Sequence, residues 1–337
     1  MPAKKINVAV AGLGFMGVTH LRVYQQLRNV RVVAVCDAQR LPVNGVLNGV
    51  NGNITQSAGL QLGPQVKAHR EFSEMLADPD VELVDICTPT SFHPAQAIAA
   101  LKAGKHVLCE KPLAQNATDA RKVGRAAAAS QKFFMPAMCM RFWPGWAGLK
   151  KIVDEKIYGR VLAADFRRLS AKPTWAAAGS HFGGALFDLH IHDTDFVNFV
   201  FGRPESVFST GVRDANGTVD HVVTQYFFPN GPVVHAEGSW LLPQGFNMSF
   251  TLHCEQATID FDLARGKDAL QITRPGKPPR PVKLAAGDGY AAEIRYFVDC
   301  VARGQAPTVV TANDGVMALA ICEAEEKSVR TRKVVKL

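Results

Sequence analysis

The sequence predicts an α/β chain in two parts: a doubly wound parallel sheet, then an α+β part built on a mostly antiparallel sheet. Three observations predict it. A glycine-rich turn, Gly12-Leu13-Gly14-Phe15-Met16-Gly17, follows the first apolar strand directly and opens a helical pattern. Strand and helix patterns then alternate as far as residue 138. Beyond that point strand follows strand, with the helices set apart from them. A chain of 337 residues is long for one core and fits two domains, expected over residues 1–138 and 139–337.

The first part is justified element by element. Ile6 to Ala11 is a β-rich apolar strand. In the G-x-G-x-x-G that follows, Gly12 permits the tight turn, Gly14 lets backbone approach a pyrophosphate, and Gly17 lets helix pack on strand. The helix N-terminus adds free N–H groups and the positive end of its dipole. A second strand, Val30 to Cys36, ends in Asp37, where a carboxylate accepts hydrogen bonds from the adenosine ribose. That carboxylate repels a 2′-phosphate, which favours NAD over NADP, although Arg40 nearby is a residue that pairs with such a phosphate. Leu41 to Gly63 is rich in Gly and Asn, poor helix formers, and reads as a long loop with at most a short helix. It either covers the adenine side or is a plain insertion.

A short helix near Glu71 to Leu76 and a strand from Val81 to Cys87 follow, and the strand ends in Thr88-Pro89-Thr90 beside the expected pyrophosphate crevice. A helix from Pro94 to Ala103, closed by Gly104, leads into KHVLCEKPL, Lys105 to Leu113. Here an apolar strand ends in a carboxylate, an ammonium and a ring-locked backbone: Glu110, Lys111 and Pro112. The carboxyl end of a strand in such a sheet is where ligands bind. A helix over Thr118 to Ser130 and a strand over Phe133 to Met138 finish this half.

In the second part, a helix over Gly145 to Lys156 and a strand over Val161 to Leu169 precede a loop with Trp175 and His181. A long helix, Ala185 to Phe201, lies between Gly184 and Gly202. Six strands are expected next, at Ser206–Val212, His221–Phe228, Val233–Trp240, Met248–Cys254, Thr258–Asp262 and Ala269–Thr273. KPPRPVK, Lys277 to Lys283, is a turn or edge, and two helices, Tyr290–Arg303 and about Asn313–Thr331, close the chain. Tyr226, Phe228 and Trp240 suggest apolar residues on both faces of the sheet, and such a sheet is expected to pair with another copy.

Composition excludes several classes. Hydrophobic content of 47% with 20% charged residues belongs to a soluble globular protein, and no apolar run approaches the ~20 residues that span a bilayer. The start, MPAKK directly before the first strand, leaves no room for a signal peptide, so a cytoplasmic location is expected. The seven cysteines are scattered, with no CxxC, and read as reduced thiols. The net charge of +8 suits anionic ligands, but the basic residues are dispersed, without the stripe or module that nucleic-acid binding needs.

Asp188 and His192 lie at i and i+4 and share a face of a helix. A base that removes a hydroxyl proton should titrate near neutral pH, as imidazole does. Asp188 orients that ring or binds a substrate hydroxyl. Lys111 donates to the same oxygen and stabilises the alkoxide that forms as hydride leaves for the nicotinamide. A metal site is the rival, since His181, His190, His192, Asp193 and Asp195 are ligand types. His190 and His192 would chelate from a strand, but in a helix they point roughly 200° apart; the flanking glycines favour helix, hence no metal. A capped helix with His192 satisfied in a core is the plainer alternative. Arg141, Trp175 and His181 line a substrate pocket or simply pack.

GLGFMG, CDAQ, CTPTSFH, HVLCEKPL and GGALFDLHIHD with Asp195, taken in order, resemble the glucose–fructose oxidoreductase / inositol dehydrogenase / MocA family over essentially the whole chain. The resemblance implies a nicotinamide-binding Rossmann domain and a substrate domain with an open-faced sheet, through which copies pair as dimers or tetramers. It implies oxidation or reduction at a carbon–oxygen bond of a sugar, polyol or nucleotide sugar. Lys111 matches the catalytic lysine of the family, Asp188 and His192 its acid–histidine pair, and Glu110 the contact to the nicotinamide ribose. Phe15, Met16, Thr88, Pro89 and His93 fall in the motifs as further cofactor contacts. A non-catalytic NAD-binding sensor on the same fold is the other function class, and the presence of Lys111, Asp188 and His192 together favours the enzyme.

Overall fold

In the computed structural model, residues 5–48, 59–177 and 183–337 are described, apart from the side chains of Trp175 and Ala177. The chain forms two compact units. The first comprises residues 1–139 and 289–316, the second residues 140–288 and 317–337. This departs from a division at 138 in one respect: the segment 289–316 belongs with the first unit. Its helix carries Phe297 and Ile294 into a dry core, and Asp299 accepts from Asn29 Nδ2 at 3.3 Å.

The first unit is a six-stranded sheet of β1 (Ile6–Ala11), β2 (Val30–Cys36), β3 (Lys67–His69), β4 (Leu83–Ile86), β5 (His106–Cys109) and β6 (Phe134–Pro136). Their order is β3-β2-β1-β4-β5-β6 and every pairing is parallel. The strands are short apolar runs because helices cover such a sheet on both faces. The helices are α1 (Phe15–Gln26), α2 (Phe72–Ala77), α3 (His93–Lys102) and α4 (Ala117–Ala129). Register decides where the loops meet: Cys36 lies opposite Ala11, Ala11 opposite Ile86, and Ile86 opposite Cys109. The segments after β1, β2, β4 and β5 therefore leave from one line, on either side of the point where the strand order reverses. The expected loop at 41–63 contains a small antiparallel ladder, Val46–Leu47 with Leu60–Gln61, fixed by burial of Leu47 and Leu60. Residues 49–58 of that stretch lie outside the described residues.

The second unit opens with α5 (Ala147–Asp154) and β7 (Val161–Ala171). A π-helical turn, Leu186–His190, then runs into α6 (Ile191–Phe201). The sheet continues with β8 (Ser206–Arg213), β9 (Val219–Phe227), β10 (Val233–Cys254), β11 (Thr258–Asp262), β12 (Leu270–Thr273) and the two-residue β13 (Arg280–Pro281). α7 (Gly289–Arg303), α8 (Ala312–Thr331) and β14 (Val335–Lys336) end the chain. The eight strands form one sheet, mostly antiparallel, in the order β13-β12-β11-β10-β9-β8-β14, with β7 paired to β10. The two strands expected at 233–240 and 248–254 are one strand folded back on itself near Gly245, whose φ of 83° suits glycine. Both arms register on β7, with Ala236 and Phe250 each opposite Phe166.

One face of this sheet is covered. Trp146 is fully buried among Phe166, Phe196, Phe250 and Phe261, at ring separations of 5.0–6.1 Å. Tyr226 and Trp240 are also buried, which corrects the expectation that they mark a second apolar face. The open face is mixed: Asp165 with His235 and Arg167 with Glu237 pair across strands, beside Val223 and Val233. Alternation forces this, since each inward residue has outward neighbours on its strand. Among the described residues no helix is long and apolar enough to cross a membrane.

Candidate functional site

The glycine turn after β1 has the geometry that its spacing predicts. Gly12 has φ 88°, and a Cβ there would stand 2.4 Å from the Cys87 carbonyl oxygen. A Cβ on Gly17 would stand 1.8 Å from the Gly12 carbonyl oxygen, so helix and turn touch only because both lack side chains. Gly14 has nothing within 4 Å of that position and is exposed, at the head of α1. Two glycines are thus required by packing, while the middle one leaves backbone bare beside a helix N-terminus. That is the cradle a pyrophosphate fills. Gly12→Ala should lower the melting temperature sharply, whereas Gly14→Ala should leave it nearly unchanged and weaken nucleotide binding; calorimetry and thermal unfolding separate the two.

Asp37 stands at the end of β2 on the same line. Its Oδ2 accepts from Leu13 N–H at 2.8 Å, and its Oδ1 from the N–H groups of Gln39 and Arg40 at 2.9 and 2.8 Å. The carboxylate is thereby fixed against the glycine turn. Arg40 donates to the carbonyls of Leu13 at 2.9 Å and Asn48 at 2.5 Å, so its guanidinium is held by the backbone.

Beyond β4, Thr88 is half-buried and Pro89 exposed, and in the first turn of α1 Phe15 and Met16 are half-buried. His93 is fully buried, and its ring lies between two carbonyls: Nδ1 2.8 Å from Pro112 O and Nε2 2.7 Å from Thr88 O. Burial holds it below the usual imidazole range, and its backbone partners oppose that only in part. The neutral ring has one N–H and donates to one of these carbonyls while packing against the other, so buried His93 braces the β4 loop against the β5 loop where a direct cofactor contact was expected. Glu110 is buried at the end of β5; its Oε2 accepts the Lys111 N–H at 3.0 Å, and its Oε1 lies 3.2 Å from His20 Nε2. Lys111 itself is half-buried. His20, Asp85 and Cys87 bring ligand-type atoms within 4.8 Å of one another, but Asp85 Oδ2 meets His20 Nδ1 at 2.8 Å, a direct hydrogen bond where a metal would sit.

In the second unit the expected single helix begins with a π turn, which inserts extra backbone just where Asp188 stands. From Gly184 to Val197 only Phe187, Asp188 and His192 are less than fully buried. Asp188 and His192 therefore share the one accessible stripe of this segment. The other polar side chains here each meet a partner inside the fold. Asp195 takes a two-pronged bond from Arg141, at 2.9 and 2.6 Å, and Asp193 takes one from Arg168, at 2.8 and 3.1 Å. All four residues are buried. His190 points into the sheet, 3.3 Å from Tyr226 Oη and 3.5 Å from Glu325 Oε1, with Thr194 3.2 Å from the same carboxylate. The alternative ligands His190, Asp193 and Asp195 thus face three different partners and converge on no common point. Arg141, expected at the substrate, is 4% exposed and stacks on Phe199 at 4.5 Å. His181 and the side chain of Trp175 lie outside the described residues.

Sequence reasoning missed His20 and Asp85. A signal existed: an acid inside the otherwise apolar strand VELVDIC, and a histidine on the inner face of the glycine-turn helix.

A family model described as an oxidoreductase family with an NAD-binding Rossmann fold matches residues 6–138, and the GFO/IDH/MocA C-terminal domain matches residues 146–260. Levoglucosan dehydrogenase of Pseudarthrobacter phenanthrenivorans is 30% identical over 303 residues, 80% of this chain and 76% of that protein. Myo-inositol 2-dehydrogenase of Thermotoga maritima is 26% identical over 98% of both chains. A solved levoglucosan dehydrogenase in complex with NADH has the same fold, with a TM-score of 0.83, 22% identity and 99% of each chain covered. With a glycine cradle that fits the nucleotide and homology along both units, this chain belongs to the GFO/IDH/MocA family of oxidoreductases, whose Rossmann domain binds NAD.

Proposed function

We propose that this chain is a cytoplasmic NAD-dependent dehydrogenase that moves a hydride between the nicotinamide and a CH–OH carbon of a sugar, polyol or nucleotide sugar. The observation that carries the reading is the row of strand ends holding the Gly12–Gly17 turn, Asp37, Thr88 and Glu110–Lys111 in one register. Bound NAD supplies the hydride acceptor. The glycine turn and the α1 terminus receive its pyrophosphate, Asp37 its adenosine ribose and Glu110 its nicotinamide ribose. Lys111 donates to the substrate oxygen and stabilises negative charge there as the proton leaves. His192 takes that proton, and Asp188 orients the imidazole or binds a neighbouring hydroxyl. The relatives named for levoglucosan and inositol act on polyhydroxy rings, which favours such a ring as substrate here.

The test is a thermal-shift screen of anhydrosugars, sugars, inositols and nucleotide sugars with NAD present, followed by steady-state reduction of NAD. A ligand that binds the folded state alone must raise its melting temperature. If no polyhydroxy compound stabilises the NAD complex or reduces NAD, the reading fails, and an NAD-binding sensor takes its place. In calorimetry NAD should bind more tightly than NADP. Tighter NADP would mean that Arg40 leaves the Leu13 and Asn48 carbonyls for the 2′-phosphate.

Copies of the chain are proposed to pair through the open face of the second unit's sheet as a dimer or tetramer. Light scattering at micromolar concentration checks this, and a monomer contradicts it. A charge swap such as Arg167→Glu should weaken the assembly, because the open face mixes both signs.

A further inference from the structure

We propose that His20 is a positioning residue: as an imidazolium held between Asp85 and Glu110, it fixes the Glu110 carboxylate and, through it, the turn that carries Lys111. The proposal rests on the functional reading above only for the roles of Glu110 and Lys111. The geometry stands without it. The ring is fully buried on α1. Its Nδ1 lies 2.8 Å from Asp85 Oδ2, and its Nε2 lies 3.2 Å from Glu110 Oε1, an ion contact rather than an aligned hydrogen bond. The second oxygen of Glu110 accepts the Lys111 N–H at 3.0 Å, and the Glu110 N–H donates to the Ile86 carbonyl at 2.9 Å.

A neutral imidazole has one N–H and would turn a lone pair on one of the two carboxylates. Two buried carboxylates without a cation between them are costly, and only the doubly protonated ring serves both. The groups facing the ring are Asp85 from β4, Cys87 just beyond it with Sγ at 3.5 Å, and Glu110 from the end of β5. Tyr24 stands one turn further along α1, and Glu293 of α7 acts on it in turn. Burial, the largest single influence, disfavours charge on the ring, but the charge and hydrogen bond of Asp85 together with those of Cys87 outweigh it, and the imidazole is raised well above its usual range. Burial and the charge of Asp85 push the Cys87 thiol upward, so it remains protonated and does not compete. One helix thus does two things: its first turn faces the pyrophosphate, and its second turn sends a cation to the loop of the reactive lysine.

Ring-selective 15N NMR of the cofactor-free protein tests the charge state, with the His20→Gln spectrum giving the assignment. Both ring nitrogens should be protonated at pH 7.5, a full unit above the usual imidazole midpoint of ~6.5; a neutral ring at that pH overturns the proposal. Thermal unfolding tests the electrostatic role. In His20→Gln the two carboxylates must share a proton, which raises a carboxyl in the folded state, and the stability this holds is lost as pH rises above the ordinary carboxyl range of ~4. The parent ring is charged in both folded and unfolded states up to about pH 6.5 and adds no slope there. The melting-point deficit of the variant should therefore widen from pH 4.5 to 6.5, and it should stop widening when Asp85→Asn is added. A deficit equal at both pH values means that His20 merely fills space, and the proposal falls. NADH titration by fluorescence at pH 7 should weaken about 10-fold in His20→Gln, the scale of a lost charged contact, and stay weak in the double variant, which still lacks the cation that holds Glu110; full recovery there would overturn the positioning role. Should the NMR and unfolding results hold while the parent itself binds no NADH, it is the functional reading that fails.

Discussion

Lys111→Ala and His192→Ala should each lower kcat by at least ~10²-fold while NAD binding stays largely intact. A placed base contributes ~10²–10⁴-fold, and a preorganised donor at the developing oxyanion ~10²–10³-fold. If both act on one oxygen, the double variant should fall well short of the product of the two losses, because groups that act as a unit are not additive. The rate of alcohol oxidation should rise with pH as the histidine base loses its proton, and this limb should vanish in His192→Ala. Asp188→Asn should be milder and should move the limb to lower pH, since it removes a negative charge that favours imidazolium. His190→Ala should leave the limb in place, because that ring is buried against Tyr226 and Glu325 on the far side of the helix. Its cost should appear as a lower melting temperature. A profile that depends on His190 and ignores His192 would sink the mechanism.

Asp195→Ala should be among the most destabilising single changes in the second unit, by ~3–5 kcal/mol, because it leaves the Arg141 guanidinium buried without its charge partner. At ~2–4 °C per kcal/mol for a unit of this size, the melting temperature should drop by about 10 °C. Asp193→Ala should behave alike through Arg168. Replacing both members together, as in Arg141→Leu with Asp195→Leu, should cost much less, since the Coulomb gain of a buried pair roughly offsets its desolvation. Thermal unfolding of the three variants measures this. An unchanged melting temperature for Asp195→Ala would show that the pair is hydrated and not a clamp on α6.

Much of the site was legible because its signals are local. Three glycines at fixed spacing need only the strand before them and the helix after them, and the distance to Asp37 is one βαβ step. Glu110-Lys111-Pro112 stood out as charge at the end of an apolar strand, and Asp188 and His192 as a pair one turn apart. What was not legible depends on partners far along the chain. Arg141 and Arg168 look like free cations in sequence, but 54 and 25 residues later the chain supplies a buried aspartate for each. Tyr226 and Trp240 carry no mark of which sheet face they occupy, because a one-residue shift in register exchanges the faces. The π turn is a tertiary result as well: Gly184 packs against the Val219 backbone and His190 must reach the sheet, where Gly238 leaves room for its Cβ.

By itself the sequence determined the two-part fold, the nucleotide cradle and the candidates Lys111, Asp188 and His192, because periodicity and short motifs act over a few residues. Only the tertiary structure decided which polar residues are spent on architecture. It assigned Asp193, Asp195 and His190 to buried partners and left Asp188 and His192 on the accessible stripe. It returned segment 289–316 to the first unit, and it set His20 between Asp85 and Glu110. The physical reason for the polar assignments is the same: a charge can stay in a dry interior only where a distant part of the chain meets it with the opposite charge or a hydrogen-bond donor, and that meeting is a property of the fold.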